Sequence, residues 1–182
     1  RSELTKEIAQ KVLQVVDAGL VEGKGSPVPG KMCVEAAVCF AYGLPHGDNP
    51  PCVGSAVRSF KIRLNDSRWS SNEARAKGMR KLAIAQLGSD SIDQKEFAKI
   101  VAKETIKQIV PIALRTAAKS NPKIAAELEA AAIKCENEGS RASAIEAGDI
   151  ARKAAAAVAA ADADADAAAA AYAADAADDA YA

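Results

Sequence analysis

Aromatic residues are scarce in this chain of 182 residues: they make up 4%, with a single tryptophan. There is one histidine, and 24 basic side chains balance 24 acidic ones to a formal charge of zero. Each shortage excludes something. No run approaches the ~18 consecutive apolar residues that span a bilayer, so no membrane is expected as a partner. No secretory pattern opens the chain, because Arg1 to Lys11 is charged and amphipathic. Zero net charge argues against strong non-specific binding to nucleic acid. The four cysteines, Cys33, Cys39, Cys52 and Cys135, have the spacing of no secreted disulfide scaffold, and a reducing, cytoplasmic setting is expected.

Hydrophobic residues reach 49%, enough for a packed core. Alanine dominates them, with 44 copies, 21 of which fall among the last 32 residues. No stretch alternates with period two for long enough to read as a strand. The apolar period is helical from the start, at Leu4, Ile8, Val12, Val15 and Val16, which predicts a first helix over about 3–21 with Ser2 as its cap. Met32 to Tyr42 is apolar on every face except at Glu35, the pattern of a buried helix. Val53, Val57, Phe60 and Leu64 form the next stripe, which leaves Arg58 and Lys61 on its solvent side. Ser70–Glu73 and Ser91–Gln94 read as capping boxes. Pro111 must end or kink the long stretch that follows the second of them. Asn121-Pro122 reads as a helix start, and Gly88 and Gly139 as stops. The fold class expected is all-α: a compact bundle of about six helices over 1–139, then one long alanine-rich helix over 140–182. That last helix would pack on its own domain or on a partner, or make a self-association contact.

Candidate chemistry gathers in two places. Glu35 is the one acid between Glu22 and Asp48, and a buried carboxylate is costly unless paired or protonated. With Tyr42, His46 and Asp48 it could form an acid–base or metal-binding cluster. Alternatively it satisfies helix or loop amides, or an arginine such as Arg63 or Arg68. The second place is the basic stretch Arg58 to Lys81, eight cations against Asp66 and Glu73. There Arg63, Arg68, Trp69 and Lys77 offer charge and stacking to an anion or a nucleic acid.

Metal and nucleotide motifs fail on their details. Cys39, His46 and Cys52 lack the paired spacing of a zinc site. Asp162, Asp164 and Asp166 imitate a calcium loop, but alanine stands at its glycine and final acid positions, Ala167 and Ala173. Gly25 to Lys31 has phosphate-loop spacing, but Met32 follows where a hydroxyl should hold magnesium. No metal and no cofactor is expected.

Met32 to Cys39 through Gly43 to Asp48, and Arg63 to Asp66 through Trp69 to Asn72, resemble passages of uncharacterised bacterial proteins. The alanine tail dotted with tyrosine and aspartate is similar to that of chains labelled immunity proteins. The latter resemblance implies a protein that binds and blocks a toxin, and names no catalytic residue. The reading that follows is a non-enzymatic helical module that binds another protein. The alternatives are an anion- or nucleic-acid-binding protein using residues 58–81, and an enzyme with an acid–base site at Glu35 and His46.

Overall fold

A computed structural model describes residues 3–159 of the chain. Among them every regular element is helical, and the one β contact is an isolated antiparallel bridge between Gly25 and Met32. The helices are α1 (Lys6–Asp17), α2 (Val34–Ala41), α3 (Ser55–Asp66), α4 (Asn72–Ala85), α5 (Gln94–Glu104), α6 (Val110–Ser120), α7 (Ala125–Glu138) and α8 (Arg141–Ala159). The all-α expectation holds for these residues. The remainder of the expected final helix, with Tyr172 and the aspartate series, lies outside them. No helix among the described residues is long and apolar enough to cross a membrane.

Helix starts fall close to the expected places, but on different residues. Thr5 caps α1, accepting from the Ile8 amide at 3.3 Å. Ser71 rather than Ser70 caps α4, accepting from Ala74 at 3.0 Å. Asp93 rather than Ser91 takes the first amides of α5, those of Lys95 and Glu96. Asn121 closes α6 instead of opening α7, and its amide donates back to the Ala117 carbonyl at 2.9 Å. Any short side chain with an oxygen can fill a cap, so neighbouring candidates are separated only by where the packed face of the helix begins.

Pro111 shapes the stretch from α5 to α6 as its chemistry requires. Its ring lacks an amide hydrogen and crowds the carbonyl four residues back, at Lys107. The chain answers with a single wide π turn over Thr105–Ile109, and α6 then restarts with proline in its first turn.

Two compact units result, one ending at Phe97 and the other beginning at Ala98. The division falls inside the stretch 1–139 that was expected to form one domain. In the first unit Val12, Val15 and Val16 of α1, Val34, Ala37 and Val38 of α2, Val57 of α3, and Ala76 and Met79 of α4 share a core. Helix α2 is buried nearly all round, as its sequence implies. In the second unit Ile106, Val110, Leu114 and Leu128 pack with Ala131, Ala132, Ala144, Ala147 and Ala151. The described part of the alanine-rich helix therefore packs against its own unit. Its small side chains let α8 approach α7 closely, and Lys134 pairs with Glu146 beside that seam. Arg115 of α6 clasps Glu129 and Glu136 of α7 on another side.

Candidate functional site

Glu35 occupies the first turn of α2, where an acid complements the helix dipole. The helix start is built around it. Cys33 caps the helix through its sulfur, 3.4 Å from the Ala36 amide, and Asn65 Oδ1 accepts from the Val34 amide at 3.2 Å. Glu35 itself is fully buried, and so are Lys61 of α3 and Gln86 at the end of α4.

The orientation of the Gln86 amide is assigned from its neighbours, as the one that turns its nitrogen to the acid and its oxygen to the amine. The Gln86 amide nitrogen donates to both oxygens of Glu35, at 2.7 and 3.0 Å, and its oxygen accepts from Lys61 Nζ at 3.3 Å. The amide thus bridges the acid and the amine. Burial pushes the Glu35 carboxyl up to about 7, against the opposing pull of Lys61 and Arg58. Burial likewise lowers Lys61 to about 8, although Glu35 holds its proton on. Burial thus draws the two pKa values toward each other, the acid upward and the amine downward.

Lys61 corrects the reading of α3. Hydrophobicity alone puts the stripe through Phe60 on the buried side and Lys61 in solvent. The inward face is instead Val57, Lys61 and Asn65, at i, i+4 and i+8. Phe60 is 36% exposed and meets Phe97 edge to face, with centroids 6.4 Å apart. The buried acid on α2 supplies the reason, because it needs a cation more than the core needs another ring. An i, i+4 alternation of Val57, Lys61 and Asn65 was the available signal, and hydrophobicity alone pointed elsewhere.

Among the described residues no hydrogen bond or ion pair links Glu35 to Tyr42, His46 or Asp48. His46 spends Nε2 on the Gly25 carbonyl, 3.1 Å away, and so ties two loops together. Asp48 is exposed, and it acts on Glu35 only through its charge, which raises the carboxyl. Tyr42 carries its hydroxyl to the Cys52 thiol, and that oxygen has no conventional hydrogen-bond partner among the described residues. All four cysteines are free and buried. Burial raises their thiols, Cys39 to about 11, so they stay protonated and unreactive. Among the described residues no three His, Cys, Asp or Glu side chains are grouped to hold a metal.

The basic stretch is partly consumed by the fold. Arg75 is buried and donates through Nε to the Asn65 carbonyl at 2.7 Å, while Arg80 clasps Asp17. Trp69 donates its indole N–H to the Leu64 carbonyl at 3.0 Å. Its six-membered ring lies against Gly78, where an added Cβ would come within 2.4 Å of ring carbons. Trp69 is a packing anchor, half-buried against the first core. Arg63, Arg68 and Lys77 remain exposed.

Replacing Lys61 by methionine tests the electrostatics of the buried trio. Without the amine, Glu35 should rise further above its ordinary value of 4.5. A carboxyl raised in the folded state contributes stability that is complete below its unfolded value and is lost as pH climbs through the folded one. Lys61→Met should therefore lose about 1.4 kcal/mol per pH unit across that window. Its urea midpoint should be higher at about pH 5 than at about pH 8. Adding Glu35→Gln should flatten the difference, and an equal slope in both variants would show that Glu35 is not the titrating group.

Compared with known proteins, the chain matches no family model, no curated protein and no solved structure.

Proposed function

We propose that the protein is a non-enzymatic, cytoplasmic helical module that binds another protein, of the immunity or inhibitor type. The observation that carries this reading is a group of exposed isoleucines on the run from α5 to α6. Ile100 is 54% exposed, Ile109 53% and Ile112 62%. The π turn takes more residues per turn than the helices it joins, which resets the helical phase between Ile100 and Ile112. Burying one such side chain contributes about 1.5–3 kcal/mol. Lys99, Lys103, Glu96 and Glu104 surround Ile100 and are all exposed, so a polar rim of both signs borders this apolar side chain. Four buried, unpaired thiols suit a reducing compartment.

The test compares the wild-type chain with Ile109→Asp/Ile112→Asp as immobilised bait in cell extract. The double variant should keep its helical circular dichroism and lose at least about tenfold in affinity for the retained protein. Sedimentation of the free chain distinguishes a second copy from a foreign partner. Identical retention by both baits would sink these isoleucines as the binding face.

A further inference from the structure

Glu35, Lys61 and Gln86 come from three different helices and meet with exposures of 0%, 2% and 2%. For stability alone this is an expensive arrangement, since apolar side chains of the same volume would avoid the desolvation of an acid and an amine. The trio does hold the three parts of an acyl-transfer reaction. There is an amine to attack, a carboxamide to be attacked, and a carboxyl on the nitrogen that would leave.

We propose that Lys61 and Gln86 join in an intramolecular isopeptide bond, with Glu35 transferring the protons. Lys61 Nζ lies 3.3 Å from the carboxamide oxygen, and Glu35 holds the carboxamide nitrogen at 2.7 and 3.0 Å. The amine attacks Gln86 Cδ and forms the new C–N bond. Glu35 in its acid form gives its proton to the departing nitrogen, the old C–N bond breaks, and ammonia leaves. The carboxylate then takes the proton that the new amide nitrogen sheds. Atoms and charge balance, nothing is oxidised or reduced, and no co-reactant is needed.

Burial serves each step. It raises the carboxyl and lowers the amine, which brings the neutral acid and neutral amine, the forms that react, closer in free energy to the ion pair. It keeps water from competing as nucleophile. Three helices of one compact unit supply the orientation that makes an otherwise sluggish amide reactive. The product would tie the middle of α3 to the end of α4 and remove both buried charges.

Intact mass of the folded, full chain decides it, after incubation at a pH between the shifted values of Glu35 and Lys61. The wild type should be lighter by the mass of one ammonia. Trypsin should then release residues 59–63 joined through Lys61 to residues 82–95 through Gln86, with no cleavage after Lys61. Glu35→Gln keeps the shape of the acid but cannot supply its proton, and it should retain the full mass. Lys61→Met should do so as well. A folded wild type of full mass that yields free 59–61 and 82–95 peptides would overturn the proposal and leave a purely structural trio. Mass loss persisting in Glu35→Gln would overturn the role given to Glu35.

Discussion

Replacing Glu35 by alanine is expected to cost about 3–5 kcal/mol of folding stability, the loss seen when one member of a buried charged group is removed. Native domains have only about 5–15 kcal/mol to lose, so the variant should sit near the edge of folding. Three contributions add in the same direction. The Gln86 amide forfeits both of its carboxylate acceptors. Lys61 is left buried, without the acid that favours its charged form. The first turn of α2 loses its acidic residue, and the void lies inside an element buried nearly all round. Urea unfolding followed by circular dichroism measures the sum, with an unchanged slope as evidence that the folded state is otherwise intact. A loss under about 1 kcal/mol, the scale of an exposed ion pair, would mean that Glu35 reaches solvent.

Gly25→Ala should rank with it, and Gly23→Ala should not. Both glycines have φ of +66°, so the same left-handed backbone strain of about 1–2 kcal/mol applies to an alanine at either place. Around Gly23 an added Cβ meets nothing within 4 Å. At Gly25 it would sit 2.1 Å from the Lys31 carbonyl oxygen and 2.9 Å from both Lys31 C and Met32 Cα. Those are backbone atoms and cannot swing away.

The clash falls where the loop between α1 and α2 is most tightly bonded. Gly25 bridges Met32, the Ser26 amide donates to Lys31 at 2.7 Å, and the Gly25 carbonyl accepts from His46. Opening that knot would disturb Met32, which is fully buried in the first core. The loss should reach the ~4–5 kcal/mol that marks exceptional single substitutions. Equal midpoints for the two alanine variants would show that the loop yields without the bridge.

The two cases differ in how far the sequence exposed them. The Gly25 loop was legible as a break, since glycine and proline punctuate it. Its tightness was not legible, because the contact runs from a glycine Cα to a backbone carbonyl and leaves no mark in residue type. Glu35 was legible as an anomaly, a lone acid in an apolar helix. Its partners were not. Gln86 carries no charge to draw attention, and Lys61 stands among exposed cations in a stretch that reads as a basic surface. Tyr42, His46 and Asp48 looked like companions because they follow closely in sequence, yet Glu35 is met by residues from α3 and α4.

The sequence by itself determined the helical class, the breaks at Gly88 and Gly139, and the burial of α2. These follow from period, capping chemistry and the backbone limits of glycine and proline, all of which act within a few residues. Tertiary structure decided which face of α3 turns inward, where the chain divides into two units, and what meets Glu35. Those outcomes depend on free energies shared between segments far apart in the chain. A buried carboxyl on α2 makes an inward lysine on α3 less costly than an inward phenylalanine, and no local pattern in α3 contains that term.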